Sequence, residues 1–277
     1  EHQLGSPRAA SYRPVIQRML DRVLASANPD GLLYNEVNVD TLQALDQTLS
    51  DNWGYVYGAV YSYYMVTGDT RYRDAVRKVL GGLPRYRKVV WEPRNSPALP
   101  LGSFDGYADT IESAIYLVSR EPVPEAFDWI ESEMEVMLEM QRADGHIEDW
   151  YGEGNFNRTA LIYAYMQSQG VRPDRWQPGI GVEAIRDGTR LRLHLVMDGP
   201  RRIRFDFARH RRVLNFAQNY VRLNEFPEWF TVDENHLYRL RGAGPEQVRI
   251  GSELIAGVVL APGDWVVEPA GDPPYAR

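Results

Sequence analysis

The sequence predicts an all-helical domain followed by an antiparallel β domain, a multidomain protein of the class α then β. Apolar residues recur at helical spacing up to about residue 175, and after Pro178 they recur at every second position. The helical segments also alternate along the chain between charged and nearly uncharged ones. We therefore expect a helical domain at 1–175 and a β domain at 179–277, each long enough to bury its own core.

The composition of the 277 residues is that of an ordinary globular protein, with 44% hydrophobic and 25% charged residues. The 38 acidic residues outnumber the 31 basic ones, which argues against a nucleic-acid partner because phosphate binding needs a basic surface. The chain has no cysteine, and no apolar run approaches the ~20 residues of a membrane span. The histidines lack metal-ligand spacing, so we expect neither a metal nor another cofactor.

The predicted helices alternate between an outer and an inner kind. Outer helices are amphipathic, with charges opposite an apolar stripe, and are expected near 11–27, 70–84 and 123–141. Inner helices carry few charges and are expected to pack on most sides, near 53–67, 107–119 and 156–168. The apolar stripe of the first outer helix consists of Tyr12, Val15, Ile16, Met19, Val23 and Leu24.

Each inner helix follows a loop rich in Gly, Asp, Asn and aromatic residues, at 51–55, 103–107 and 144–158. The inner helices begin roughly 50 residues apart, and a repeat of that size with one helix pair per unit indicates a helical array or toroid. The connections from inner to outer helices are shorter and plainer. We therefore expect the functional site at the N-termini of the inner helices.

The β domain is predicted to be a sandwich of antiparallel strands. Residues 190–195 alternate between arginine or histidine on one face and leucine on the other. Asp187-Gly188 and Asp198-Gly199 are typical of hairpin turns. Further short runs are expected to be strands, at 229–232, 237–240 and 254–260, whereas 208–228 fits neither period and is expected to be a loop.

This arrangement resembles the six-hairpin glycosidase superfamily. The resemblance rests on the alternating helices, the loops 51–58 and 104–112, and the polar and aromatic block 144–158. Within the superfamily it is most similar to unsaturated glucuronyl or rhamnogalacturonyl hydrolases and to toroidal polysaccharide lyases. The resemblance implies an (α/α) toroid followed by a β-sandwich, with an oligosaccharide or polysaccharide containing uronic acids as the substrate.

The chain departs from that family in length. A full toroid has about six hairpins, whereas this chain offers roughly three, which would leave the apolar edge of its first helix pair uncovered. We therefore expect the chain to be the C-terminal part of a longer protein, with an N-terminal region of the same protein completing the ring. The sequence does not determine the cellular compartment, and a periplasmic or secreted location is favoured over a cytoplasmic one.

Three carboxylates near the second inner helix are the first candidates for chemistry. Asp109 and Glu112 follow Asp105 by four and seven residues, so a helix starting near Gly106 stacks all three on one face. Such crowding raises the pKa of at least one carboxyl group, as a general acid requires. The alternative is structural, with Asp105 capping the helix and Asp109 favouring its positive end.

The block 144–158 supplies a second set of candidates. Asp144-Gly145 is expected to be a turn, followed by His146 and by Asp149 as a further catalytic carboxylate. Trp150 and Tyr151 are expected to stack on a sugar ring, although both are equally suited to a core.

Arg158, with Asn155 and Asn157 nearby, could hold a uronate carboxylate. An arginine at a helix start opposes the helix dipole, so its position requires another reason. The first loop adds further candidates for substrate binding, Asn52, Trp53 and Tyr55.

These residues support three functional hypotheses. The leading one is hydrolysis of a glycosidic bond, with Asp105 or Asp109 as general acid/base and Asp149 positioning water. The alternative is a polysaccharide lyase, in which Arg158 or an asparagine neutralises the uronate and a base removes a proton. Candidates for that base are Tyr107, Tyr151 and His146. The third hypothesis is a non-catalytic protein that binds a glycan or another partner.

Overall fold

The computed structural model describes residues 1–89, 91, 104–147, 152–223 and 226–271. Its helical part contains α1 (Arg8–Ala25), α2 (Trp53–Thr67), α3 (Thr70–Gly82), a 3-10 turn (Leu83–Arg85), α4 (Phe104–Val118), α5 (Pro124–Glu139) and α6 (Gly152–Gln167). Two antiparallel sheets follow, so the order α then β is confirmed. None of the helices described has the length and apolar character needed to cross a membrane.

The remaining elements are mostly strands. They are β1 (Arg172–Pro173), β2 (Gly181–Asp187), β3 (Arg190–Val196), β4 (Arg201–Arg204), α7 (Arg209–Arg212), β5 (Leu237–Gly242), β6 (Gln247–Ile250), α8 (Gly251–Ala256), β7 (Val258–Leu260) and β8 (Gly263–Gly271). One sheet has the strand order β2-β3-β8-β5-β6, and the other has the order β1-β4-β7.

The chain divides into two compact units. The helical unit comprises Glu1–Ile162 and Asn219–Leu223, and the sheet unit comprises Tyr163–Gln218 and Asn224–Arg277. The division falls inside α6, and the short segment 219–223 belongs to the helical unit although it follows β4 and α7 in the chain. The segment 219–223 contributes a residue to the site described below.

The helical unit is centred on α4, whose residues are buried from 106 to 118. Helix α2 packs closely against it because Gly54 has no side chain. A Cβ atom on Gly54 would lie 2.1 Å from the Cβ of Ser113. The indole Nε1 of Trp53 donates a hydrogen bond of 2.6 Å to Thr110 Oγ1, so α2 and α4 are held in register at their N-terminal halves. Helices α3 and α5 bury only one stripe each, as predicted for outer helices.

Two helices test the packing predictions most directly. The apolar stripe of α1 is largely uncovered, since the side chains of Tyr12, Val15, Ile16 and Met19 are exposed and only Leu20 is buried. Helix α6 was expected to be packed on most sides, but it buries only a stripe that includes Phe156, Thr159, Ile162 and Met166. The helical periodicity is correct in both cases. The uncovered stripe of α1 agrees with the apolar edge expected of a partial ring, whereas the packing prediction for α6 is wrong, because no described neighbour covers its remaining faces.

The sheet unit confirms the alternation at 190–195, where the leucines of β3 are buried and the arginines and His194 are exposed. Asp187-Gly188 is the predicted hairpin turn between β2 and β3, and Gly188 adopts the left-handed conformation (φ +61°). Asp198-Gly199 is not a hairpin turn, because it connects β3 to β4, which lie in different sheets.

Of the other expected strands, one is wrong and one is only partly correct. Residues 229–232 form only an isolated bridge between Asp206 and Thr231, and 254–260 is the end of α8 followed by β7. Both segments enter the core of the unit, and of the two only 258–260 lies in a sheet, paired with β4. A single hydrophobic cluster contains residues of both sheets, among them Leu193, Ile203, Leu254 and Trp265.

Candidate functional site

The first turns of α4 carry the three predicted carboxylates on one face. Asp105 accepts a hydrogen bond from Asn155 Nδ2, and Asp109 and Glu112 both contact Arg158. Asn155 and Arg158 lie three residues apart on α6, so one face of α6 meets one face of α4. The prediction that Asp105, Asp109 and Glu112 stack along a helix is therefore confirmed. We call Asp105, Asp109, Glu112 and Arg158 the carboxylate cluster, together with Asp51 and Arg222, which are described below.

Arg158 joins two of the carboxylates. Its Nη2 donates to Asp109 Oδ1 at 2.7 Å, and its Nε donates to Glu112 Oε2. The sequence placed this arginine at the start of a helix, in a loop that ended at residue 158. The helix begins instead at Gly152, so Arg158 lies in its second turn. The contacts with two acidic side chains are the reason for an arginine at this position.

Arg222 is a member of the cluster that sequence analysis did not find. It lies in the segment 219–223, and its Nη2 donates to Glu112 Oε1. Its guanidinium carbon lies 3.5 Å from the ring centre of Tyr55 and 4.5 Å from that of Tyr116. No signal in the sequence indicates this contact, because Arg222 lies in a stretch without helical or strand periodicity.

Asp51 is the second missed member. It directly precedes Asn52 and the start of α2, and only 7% of its surface is exposed. Its carboxylate accepts a hydrogen bond of 2.6 Å from Asn52 Nδ2. Burial and the nearby Asp105 raise its pKa above the ordinary value, and the hydrogen bonds from Asn52 oppose that rise. Its position before an inner helix, like that of Asp105, was the signal that could have identified it.

The cluster contains more carboxylates than guanidinium groups. It consists of four acidic side chains and two arginines, namely Asp51, Asp105, Asp109, Glu112, Arg158 and Arg222. The excess of acidic groups affects Asp109 most. Burial is the first cause of its shift and the charge of Glu112 the second, and together they raise the pKa to about 7 against the opposing effect of Arg158. Asp105 and Asp51 add smaller effects in the same direction. Burial also raises the pKa of Asp105, against the effect of Arg158.

Asp109 and Glu112 differ in their access to solvent. The side chain of Asp109 is 12% exposed, whereas that of Glu112 is 1% exposed. Asp109 therefore retains some contact with solvent, while Glu112 is enclosed by the two arginines. Among the described carboxyl groups, Asp109 combines partial access with a pKa at which the group carries a proton near neutral pH.

Two aromatic candidates, Trp53 for substrate binding and Tyr107 as a base, are core residues. Trp53 is fully buried, with its indole on Thr110, so it has no face for a sugar ring. Tyr107 is also fully buried, and its hydroxyl donates to Glu133. Burial raises the pKa of Tyr107 first, and the hydrogen bond to Glu133 raises it further, which makes it a poor base. Tyr55 differs from both, because 37% of its surface is exposed beside Arg222.

The remaining candidates lie at the surface or outside the described residues. His146 is exposed in the turn after α5, where its backbone N–H donates to Asp144 Oδ1 at 3.1 Å. Gly145 adopts the left-handed conformation (φ +92°), which confirms the predicted turn. Asn52 and Asn157 are exposed. Three further candidates, Asp149, Trp150 and Tyr151, lie outside the described residues.

Comparisons with known proteins identify no family. No protein-family model, no curated protein and no solved structure matches the chain. Within the part of the chain that the structure describes, no group of three or more His, Cys, Asp or Glu side chains is arranged to hold a metal ion. The chemistry of the site is therefore inferred from the carboxylate cluster itself, which combines a carboxyl group whose pKa is raised to about 7, further acidic groups and fixed guanidinium donors.

Proposed function

We propose that the helical unit carries the active site of a carbohydrate-active enzyme that hydrolyses glycosidic bonds in glycans containing uronic acids. The observation that carries this proposal is the state of Asp109. A partly accessible carboxyl group whose pKa is raised to about 7 is a general acid at neutral pH, and it lies beside further carboxyl groups. Glycoside hydrolysis uses this combination of a protonated and an ionised carboxyl group.

The proposed roles follow from exposure and contacts. Asp109 donates a proton to the leaving oxygen, and Asp105, which Asn155 orients, assists the attacking water. Asp149 stays a further candidate for the second role. The exposed part of Tyr55 offers an aromatic surface for a sugar ring. Arg158 is already paired with two carboxylates, so we propose that it orients Asp109 and contacts a substrate uronate only through its 28% exposed side chain.

We also propose the finer architecture as an (α/α) toroid with a β-sandwich. The alternation of α4, which is buried from 106 to 118, with the one-sided α3 and α5 supports the helical-hairpin repeat. The exposed apolar stripe of α1 supports the packing of further helical hairpins of the same protein against it. The hydrophobic cluster shared by the two sheets supports the sandwich.

Absorbance of unsaturated uronides tests the proposal in two parallel incubations with the whole chain. One contains intact uronic polysaccharides, and the other contains oligosaccharides released from them by a lyase. We expect the absorbance to fall in the second incubation, because hydrolysis releases the unsaturated terminal residue as a free sugar, which opens and tautomerises to a keto acid without the double bond. Asp109→Asn should lower that rate by about 10²–10⁴-fold, which is the usual contribution of a general acid. Asp74→Asn, an exposed aspartate on α3, is the matched control and should retain the rate.

The other outcomes distinguish the alternatives. A rising absorbance in the first incubation would mean that new double bonds form, and the lyase hypothesis would replace the hydrolase. Full activity in a folded Asp109→Asn variant would exclude Asp109 as the acid. No change with either substrate, and binding of glycan that Asp109→Asn leaves intact, would favour the non-catalytic protein.

A further inference from the structure

The carboxylate of Glu112 is enclosed by two guanidinium groups that come from distant parts of the chain. Arg158 of α6 donates to Oε2, and Arg222 of the segment 219–223 donates to Oε1. Each oxygen of Glu112 therefore has its own cationic donor, which is the arrangement that best stabilises a buried carboxylate. Among the described residues, the arginine that donates to Asp109 is Arg158, through its remaining Nη2.

We propose that Arg222 is a positioning residue that holds Glu112 as the ionised member of the cluster and thereby leaves the proton on Asp109. This inference rests on the proposed function, in which Asp109 is the acid. Arg222 acts through Glu112, because its ion pair is with Glu112 and the arginine that contacts Asp109 is Arg158. Without Arg222, one guanidinium would remain for two buried carboxyl groups, and the enclosed Glu112 would take the proton.

The neighbours of Asp109 are consistent with this division of roles. On α4 they are Asp105 and Glu112, from α6 comes Arg158, and the segment that precedes α2 contributes Asp51. Tyr55 of α2 also faces Glu112, Asp109 and both arginines. Among the charged groups that act most strongly on Asp109, all but Arg158 are acidic, so the position of the proton depends on how firmly Glu112 is held as an anion.

The segment 219–223 is built to hold Arg222 in place. The guanidinium lies between the rings of Tyr55 and Tyr116, and only 17% of the side chain is exposed. The preceding Val221 is buried, and its Cγ1 lies 3.4 Å from where a Cβ on Gly58 would be. Arg222 itself has a positive φ of 59°, an uncommon conformation for a residue with a side chain. The backbone is therefore locally strained at the residue that carries this guanidinium group.

Removal and replacement of the guanidinium group test the proposal without any substrate. Aspartate carboxyl carbons are labelled with ¹³C in the whole chain, and the Asp109 signal is assigned by its loss in Asp109→Asn. In Arg222→Ala we expect the titration midpoint of Asp109 to fall by about one pH unit or more, because Glu112 takes over the proton. Guanidinium ion at millimolar concentration should enter the space between the two tyrosines and raise the midpoint again, whereas sodium chloride at the same ionic strength should not.

Controls separate this effect from a general loss of structure. Arg77→Ala removes another arginine of the helical unit that is paired with a buried glutamate, Glu121, and should leave the midpoint unchanged. If Arg222→Ala does not fold, as judged by circular dichroism, Arg222→Lys is used instead. It retains the charge but not the planar guanidinium group, and it should lower the Asp109 midpoint by less than the fall expected for Arg222→Ala. An unchanged or higher midpoint in a folded variant would overturn the proposal.

The same variants separate this proposal from the proposed function. If the wild-type chain hydrolyses uronides, Arg222→Ala should lower kcat more than it changes KM and shift the alkaline limb of the pH profile downward, because the acid is deprotonated at lower pH. If the wild-type chain cleaves nothing but the Asp109 midpoint falls as expected, the proposed function fails and the role of Arg222 stands. Cleavage with an unmoved midpoint gives the opposite conclusion.

Discussion

Two glutamates in this chain are bound in nearly the same way, each with one arginine on each carboxylate oxygen. Glu112 of the helical unit lies between Arg158 and Arg222, and Glu268 of β8 lies between Arg190 and Arg241. The two sites differ in how far their arginine side chains are exposed to solvent. The arginine side chains around Glu112 are 28% and 17% exposed, whereas those around Glu268 are 62% and 49% exposed.

This comparison shows that the number of ion pairs does not measure their importance. Exposed pairs gain little because water screens the charges and the free side chains hydrate well. Pairs removed from water carry a large desolvation cost, so each charge depends on its partner. The arrangement around Glu112 therefore affects the stability of its unit and the protonation of Asp109, while the arrangement around Glu268 is close to an ordinary surface network.

The largest expected effect is the difference in stability lost when Glu112 and when Glu268 is replaced by glutamine. Glu112→Gln leaves two poorly solvated guanidinium groups without their shared anion, and we expect a loss of about 3 kcal/mol in the free energy of unfolding. That figure is at the lower end for a broken buried pair because Asp109 can ionise beside Arg158 in compensation. Glu268→Gln should cost less than about 1 kcal/mol. Urea denaturation of both variants measures the difference, and equal losses would show that burial of the arginines does not matter.

Much of the helical part of the site could be predicted from sequence. The spacing of Asp105, Asp109 and Glu112 is sufficient to place them on one helix face, because the periodicity of a helix is local. Arg158 was found because an arginine near a helix start needs an electrostatic reason. Both arguments use only residues close in sequence, and both identify members of the carboxylate cluster.

The contacts between distant residues could not be predicted in this way. Arg222 reaches Glu112 across 110 positions, from a stretch with no periodicity. Aromatic residues at an inner-helix entry are equally suited to a cleft or a core, and for Trp53 and Tyr107 the structure shows the core. The stripe of α1 predicts a helix correctly, but which neighbour covers the stripe depends on tertiary packing.

The second effect is the pH dependence of stability in the helical unit. The pKa of Asp109 is about 7 in the folded chain, whereas an aspartate in an unfolded chain has a value of about 4. The fold therefore favours the protonated form, and its contribution to stability is lost as the pH rises through this window. Asp109→Asn stays neutral, so relative to wild type it should gain roughly 2 kcal/mol of stability between pH 5 and pH 8.

Denaturation at both pH values checks this expectation. The exposed Asp74→Asn serves as the control, and its difference from wild type should be the same at the two pH values because surface charges interact weakly. A stability difference for Asp109→Asn that shrinks or stays constant with rising pH would show that Asp109 is not the protonated member of the cluster.

The smallest expected effect concerns the aromatic contacts of two arginines. Arg222 lies 3.5 Å from the ring centre of Tyr55, and Arg212 of the sheet unit lies 4.8 Å from that of Phe207. The Arg222 side chain is 17% exposed and the Arg212 side chain is 47% exposed. Because desolvation strengthens the attraction between a cation and a ring, the first contact should be worth about 1 kcal/mol and the second less than about 0.5 kcal/mol.

Double-mutant cycles isolate these two energies from the packing lost in each single variant. One cycle combines Tyr55→Leu with Arg222→Met, and the other combines Phe207→Leu with Arg212→Met. Tyr116 retains its contact with Arg222 in the first cycle, so the coupling energy reports Tyr55 alone. A larger coupling in the exposed pair would mean that solvent does not set the strength of these contacts, and the same reasoning about Glu112 and Glu268 would then fail.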